Sequence, residues 1–308
     1  MRPLKQLKRT TIYYLIRLFI FIFNILPRGL AVFLGGILGR IAAAVSKKDR
    51  LKAMRNLELA FGEKLDETEK NKIVRNIFIN FGRSAVDVLR FRKHFSDEII
   101  PLVDIEGREN FDRVYSRGKG IIAVTGHLGN FELIPVYMGY LGYKVSAIGR
   151  ELYDRRLDRL LVENREKMGV VNVDTRESPR HLIRLLREGY AVGVLIDTDS
   201  MRVRSMFVPA FGRPSNTPVG QTILGLKTGA AFIPLACVHD GNRYKLIIKP
   251  EVTIENSGNF EKDVYNMTKK CTGALEEIIT EFPDQWIWFH DRWCTTPKEP
   301  IPYYDEKL

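Results

Sequence analysis

Cysteine is scarce: the 308-residue chain has three, Cys237, Cys271 and Cys294. They are odd in number, far apart and part of no CxxC or Cys/His cluster, which argues against a disulfide framework and a zinc site and fits reduced cytosolic thiols. Histidine is nearly as sparse. Of the residues at 94, 127, 181, 239 and 290, only His127 sits among glycines beside an acid. The glycines at 118, 120 and 126 match neither G-x-G-x-x-G nor G-x-x-x-x-G-K-[ST], and partly precede the strand that a phosphate loop should follow. There is no G-x-S-x-G around His127, so a serine nucleophile lacks support. Repeats, low-complexity tracts and long linkers are absent. Acids are in deficit, with 37 Asp and Glu against 48 Lys and Arg and a formal charge of +11. That excess calls for an anionic partner: nucleic acid, an anionic membrane surface, or a phosphorylated or carrier-bound substrate. Nucleic acid is disfavoured, because no basic-aromatic recognition motif accompanies the charge.

Long uninterrupted apolar runs are also missing, but two shorter ones open the chain. Residues 1–11 carry Arg2, Lys5, Lys8 and Arg9, and 12–26 are almost wholly apolar, broken by Arg17 and Asn24. At ~1.5 Å per residue such a helix is about 22 Å long, short of a hydrocarbon core of ~30 Å. After Pro27-Arg28-Gly29 a second apolar segment, 30–45, ends at Ser46-Lys47-Lys48-Asp49-Arg50. A cleaved signal peptide shares the basic start, but no small-x-small site follows the first run closely. The expectation is two membrane-contacting helices in 1–46, with Pro27 at the break, followed by one large domain over 47–308.

From 51 to about 92 apolar residues recur at three- or four-residue steps, which predicts helix. Beyond that the pattern alternates. Apolar runs at 121–124, 145–148, 191–196, 232–237 and 245–248 read as strands, and 128–141, 154–168, 178–188, 218–229 and 261–281 as helices. This predicts an α/β fold with a mostly parallel central sheet flanked by helices and an N-terminal helical membrane anchor.

The densest chemistry is in Thr125-Gly126-His127-Leu128-Gly129-Asn130-Phe131-Glu132, directly after Ile121-Ile122-Ala123-Val124. If a helix starts near Leu128 or Gly129, His127 lies just before it and Glu132 one turn in, where the carboxylate can reach back. A carboxylate on one imidazole nitrogen fixes the tautomer and leaves the other free to take a proton. The same spacing also suits a histidine that merely caps a helix. A metal reading lacks a third ligand. The aromatic stretch 285–293 is ambiguous: as a strand it aligns Trp286, Trp288, His290 and Arg292, as a helix Trp286, Phe289 and Trp293. Burial in the core is the favoured outcome.

The His-x4-Glu pattern after an apolar strand resembles the lysophospholipid acyltransferase superfamily. Further blocks resemble its branch of late acyltransferases of lipid A biosynthesis: Arg-Asn-Leu-Glu-Leu-Ala-Phe at 55–61, Arg-Glu-Lys-Met-Gly at 165–169, Phe-Val-Pro-Ala-Phe-Gly at 207–212 with Thr217, and Gln-Trp-Ile-Trp-Phe-His-Asp-Arg-Trp at 285–293. These blocks are in the family's order over roughly 50–295. The resemblance implies a glycerolipid acyltransferase-like fold, with His127 as catalytic base and Glu132 as its orienting partner. Asn130, Arg150, Arg165 and Asp197 would serve the substrates: Asn130 by shaping the site, Arg150 by binding a phosphate of acceptor or donor, Arg165 within its block, and Asp197 with Asp199 by orienting basic groups near Arg202-Val203-Arg204. Backbone amides at the start of the following helix would support the oxyanion. No cofactor or metal is expected. The donor would be a thioester of acyl carrier protein or CoA and the acceptor a lipid A precursor or related glycolipid. The enzyme would sit on the inner membrane with its catalytic domain in the cytoplasm. Rival readings are acylation of a lysophospholipid and an inactive membrane-bound scaffold.

Overall fold

The computed structural model describes residues 3–152, 154–201 and 203–304, with side chains from Leu7 onward. Arg2 and Arg202, both counted above among basic segments, lie outside the described residues, as does the side chain of Lys5.

The two N-terminal apolar runs form α1 (Pro3–Ile25) and α2 (Arg28–Val45), broken at Pro27. Proline there removes a donor from the helical ladder and fixes an extended turn. Next come α3 (Lys47–Phe61) and α4 (Glu67–His94). The α4 start is held by a capping box in which the Asp66 side chain and the Glu69 amide, and the Glu69 side chain and the Asp66 amide, pair reciprocally. Helix α2 lies directly on α4 because glycines permit it: a Cβ on Gly39 would fall 2.2 Å from the Phe78 carbonyl oxygen, and one on Gly82 2.3 Å from that of Gly35. The outer faces of both N-terminal helices are apolar and exposed, with Leu18, Phe21 and Ile25 on α1 and Phe33, Ile41 and Val45 on α2. By length and composition, α2, with a mean hydropathy of 1.6, is the one described helix apolar enough to cross a membrane.

The remaining chain alternates: β1 (Val103–Glu106), α5 (Arg108–Tyr115), β2 (Ile121–Thr125), α6 (Leu133–Tyr140), β3 (Val145–Gly149), α7 (Arg155–Glu166), β4 (Val171–Asp174), α8 (Pro179–Arg187), β5 (Ala191–Leu195), β6 (Ser205–Ala210), β7 (Arg213–Pro218), α9 (Gly220–Thr228), β8 (Ala231–Asp240), β9 (Arg243–Ile248) and α10 (Phe260–Glu281). Seven strands form one sheet in the order β1-β9-β8-β2-β5-β3-β4, parallel except for β8 against β9. The mixed α/β class with a mostly parallel sheet is as read from the sequence. Strands β6 and β7 make a separate antiparallel ribbon.

Period-two alternation divides the buried residues between the two faces of the sheet. Ile122 and Val124 of β2 join a core with Val192, Phe232, Leu275, Trp286 and Trp288. Ile121 and Ala123 join the opposite core, with Phe111, Leu133, Met138 and Ala147. Burial of Trp286 and Trp288 agrees with the expected packing of the aromatic block. The block is neither strand nor helix: a short 3₁₀ turn over Pro283–Gln285 leads into irregular chain.

Candidate active site

The loop between β2 and α6 carries His127, at the carboxyl end of an inner strand, where open α/β sheets bind ligands. The helix expected from 128 does not start there. It begins at Leu133, and Glu132 is its flanking residue without a side-chain cap. The reason lies in the amides. Gly129 has φ of +59°, and its N–H donates to the Gln285 carbonyl at 2.9 Å, while the Asn130 N–H donates to that of Cys237 at 2.8 Å. The loop is therefore bound to β8 and to the aromatic segment. A Cβ on Gly129 would fall 2.1 Å from the Cys237 carbonyl oxygen, so this turn requires glycine twice over.

The carboxylate on the imidazole is Asp197, in place of the expected Glu132. His127 Nδ1 lies 2.9 Å from Asp197 Oδ1, and the His127 backbone N–H donates to Oδ2 at 2.6 Å. Trp286 Nε1–H also donates to Oδ2, at 2.8 Å. The pairing follows from the register: Thr125 of β2 is opposite Leu195 of β5, so His127 and Asp197 each lie two residues past their matched strand ends. Gly126 makes room, since a Cβ there would fall 2.8 Å from Asp197 Oδ2. Asp197 is only 2% exposed and its oxygens are occupied by three donors, so it is not available to bind substrate.

These contacts set the charges. Burial pushes the His127 imidazole toward neutrality, but the hydrogen bond and charge of Asp197, with the charge of Glu132, outweigh burial and raise its pKa above 6.5. Burial likewise opposes ionisation of Asp197, yet the donors from His127 and Trp286 hold its carboxyl well below the usual range. With Nδ1 committed to Asp197, Nε2 of neutral His127 is the basic nitrogen.

Glu132 is gripped by Arg165 of α7, whose Nε and Nη2 reach the two carboxylate oxygens at 3.0 and 2.6 Å. Nη1 of the same guanidinium donates to Asn172 Oδ1 at 3.1 Å. Glu132 makes no hydrogen bond to His127 among those of the described residues, and its charge is one of the causes that raise the His127 pKa. Asn130 is 2% exposed and donates to the Tyr244 hydroxyl at 3.2 Å, which places it behind the loop. Arg150, past the end of β3, is exposed and has no ion pair among the described residues. Asp199 accepts from Asn216 Nδ2 and from the amide and hydroxyl of Thr295. Arg292, 3% exposed, donates to the Asn216 carbonyl and the Thr217 hydroxyl. Both bind the β6–β7 ribbon to the chain end. Among the described residues no group of three or more His, Cys, Asp or Glu could hold a metal ion.

Three participants escaped the sequence reading. Trp286 anchors Asp197. The His290 ring lies against that of His127, tilted to it, with centroids 4.6 Å apart. Asn56 of α3 donates to the carbonyls of Trp288 and His290 at 2.7 and 2.6 Å, fastening the aromatic segment over the site. Beside the site a cavity of about 60 Å³ runs beneath α6, from Thr125, Glu132 and Arg165 at the carboxyl ends of the strands to Val145 and Ala191 at their amino ends. Its walls are mostly apolar, and its floor is small where Ala123, Ala147 and Gly193 meet.

A half-buried imidazole is thus fixed by a carboxylate beside an apolar slot at the carboxyl edge of a parallel sheet. Comparison with known proteins is specific. The profile of the family described as bacterial lipid A biosynthesis acyltransferase matches residues 2–295. The chain belongs to this family, and it is an acyltransferase. It is 27% identical over 283 residues to the lipid A biosynthesis palmitoleoyltransferase of Escherichia coli, covering 88% of this chain and 87% of that protein. It is also 27% identical over 284 residues to the lauroyltransferase of the same organism, covering 90% and 89%. A phosphatidylinositol mannoside acyltransferase of Mycolicibacterium smegmatis is 21% identical over 272 residues, covering 87% and 86%.

Proposed function

We propose that the protein transfers a fatty acyl chain from a thioester of acyl carrier protein or CoA to a hydroxyl of a lipid A precursor. The observation that carries this reading is the Asp197–His127 pair, which leaves Nε2 as a free base beside an apolar slot. The acceptor O–H gives its proton to His127 Nε2 as its oxygen attacks the thioester carbonyl carbon. Asp197 stabilises the imidazolium formed. The tetrahedral intermediate then expels thiolate with cleavage of the C–S bond, and the imidazolium returns the proton to sulfur. Glu132 and Arg165 form a positioning pair at the mouth of the slot, and the slot receives the acyl chain. Arg150, exposed and without an ion-pair partner among the described residues, suits a phosphate of donor or acceptor.

The apolar outer faces of α1 and α2 support seating in a membrane, with residues 1–46 as the contacting part and 47–308 as the catalytic part. The charge of +11 favours an anionic leaflet, and an acidic acyl carrier protein would be drawn to the same surface. The reading places the enzyme on the inner membrane, facing the cytoplasm. Similarity to a mannoside acyltransferase keeps a different glycolipid acceptor as the second reading. The deciding assay offers purified protein acyl carrier protein and CoA thioesters with a tetra-acylated lipid A precursor, a mannosylated phosphatidylinositol and a lysophospholipid, and identifies products by mass spectrometry. Acylation of the lysophospholipid alone would refute the lipid A assignment.

A further inference from the structure

Acyl transfer through a tetrahedral intermediate needs a donor for the developing oxyanion, worth about 10²–10³ in kcat for a single group in other acyl-transfer sites. The backbone amides directly after His127, through Asn130, are occupied. The amides of His127, Leu128, Gly129 and Asn130 donate to Asp197, Gly126, Gln285 and Cys237 respectively. Arg165 is engaged by Glu132 and Asn172, and Trp286 by Asp197.

One imidazole in contact with the base remains uncommitted. His290 Nε2 is closed to solvent and has no hydrogen-bond partner among the described residues, while its ring centroid lies 4.6 Å from that of His127 at an interplanar angle of 54°. Its backbone is fixed: the carbonyl accepts from Asn56 and the amide donates to Ile287. An uncommitted buried ring nitrogen forgoes a hydrogen bond, a cost that a substrate atom can relieve. The ionisable groups acting on this ring are His127, Asp197, Asp291 and Lys52. Burial, and then the neighbouring His127 charge, lower its pKa below 6.5 and so keep it neutral while His127 cycles.

We propose that His290 is a second catalytic imidazole, carrying its proton on Nε2 and donating it as a hydrogen bond to the thioester carbonyl oxygen as that oxygen becomes an oxyanion. No proton is transferred from His290. His127 alone exchanges the proton between acceptor hydroxyl and leaving thiolate, so the two rings divide the work of base and electrophile. This inference rests on the proposed acyl transfer.

The test compares His290→Gln, His290→Asn and His290→Phe in the full-length protein with the acyl thioester and lipid acceptor that the assay above identifies. A glutamine amide reaches the place of Nε2, whereas an asparagine amide reaches only that of Nδ1. The expected result is a kcat lowered about 10²-fold or more in the Asn and Phe variants, recovery of at least tenfold in the Gln variant, and KM within a few-fold throughout. Thermal unfolding checks each variant, and the Gln–Asn contrast decides the matter if the Phe variant does not fold. Equal kcat in the Gln and Asn variants overturns the proposal. So does a Phe variant with undiminished plateau kcat whose pH profile alone moves, the signature of a ring that only tunes His127. His127→Ala separates the two levels: if it is inactive while His290→Phe keeps full kcat, only the oxyanion role fails, and if it is fully active the general-base reading fails.

Discussion

The substitution Asp197→Asn removes one charge and changes few atoms, yet it should disable the base. Three donors converge on the carboxylate: the His127 N–H and Trp286 Nε1–H on Oδ2, at 2.6 and 2.8 Å, and His127 Nδ1 on Oδ1 at 2.9 Å. An asparagine supplies one acceptor oxygen and an NH2 group. With its oxygen at the Oδ2 position it satisfies two of the donors, and its NH2 then faces Nδ1. The other rotamer would set the NH2 against two donors, leaving each unsatisfied at a cost of about 1–3 kcal/mol. The first arrangement therefore prevails, Nδ1 becomes an acceptor, and the proton moves to Nε2. A neutral imidazole protonated on Nε2 cannot accept the acceptor's proton. The corresponding loss in hydrolytic triads is about 10⁴ in kcat, or about 5 kcal/mol of barrier. Steady-state kinetics at the pH optimum, with the melting temperature as a folding control, measures it. A folded Asp197→Asn enzyme whose kcat stays within tenfold of the parent, beside an inactive Glu132→Gln enzyme, would refute the assignment and return the orienting role to Glu132.

The pH profile follows from the shift on His127. Its raised pKa means that activity climbs as pH passes through a value above 6.5, and Glu132→Gln, by removing a charge that raises it, moves that limb to lower pH; an unmoved limb would show that Glu132 does not act on the imidazole through its charge. The same shift gives a stability contribution that is complete below pH 6.5 and lost as pH rises through the folded value, measurable as the difference in melting temperature between parent and His127→Phe across that window. Glu132→Gln and Arg165→Gln should be strongly non-additive in kcat/KM, because the two side chains share a bidentate pair; independent losses would mean that they act separately. Gly39→Ala should destabilise by about 1–3 kcal/mol in thermal unfolding, since its new methyl meets the Phe78 carbonyl oxygen, and an unchanged Tm would show that α2 docks elsewhere. Gly193→Val and Ala147→Val should shift donor preference toward shorter acyl chains by filling the floor of the slot, read by competition between thioesters of different length.

Much of the sheet was legible because its inner strands are buried on both faces and read as short apolar runs, as in Ile121-Ile122-Ala123-Val124. The elements missed are polar or punctuated. β4 reads Val-Asn-Val-Asp, and β7 reads Arg-Pro-Ser-Asn-Thr-Pro, whose prolines suit the free edges of a two-stranded ribbon and look like a loop in sequence. The helix starts later than the apolar pattern over 128–141 predicts, because a glycine within an apolar run does not announce a positive φ, and Gly129 owes its conformation to contacts with Cys237 and Gln285 far along the chain. His127 could be found from its local setting, while its hydrogen-bonded carboxylate could not. Asp197 lies 70 residues away, and only the pairing of β2 with β5 carries the two residues to the same level. A signal existed in retrospect: an acid two residues past an apolar strand that pairs with the strand before the histidine.

The same loop also connects the site to the N-terminal helices. Asn130 donates to the Tyr244 hydroxyl, which donates to Asp87 Oδ2 at 2.7 Å, and Arg28 at the start of α2 holds both oxygens of Asp87 at 3.0 and 2.6 Å. Asp87 and Tyr244 are fully buried. Withdrawing Arg28 would leave a carboxylate uncompensated in the interior, a loss of about 3–5 kcal/mol, so α2 is held to α4 by charge as well as by its glycine contacts. The apolar surface of α1 and α2 and the catalytic loop are consequently tied through one buried chain of contacts. A helix pair tethered only by a flexible linker would let the slot face any direction. Here, whatever surface accepts the exposed faces of these helices also fixes the orientation from which an acyl chain and a lipid hydroxyl approach His127.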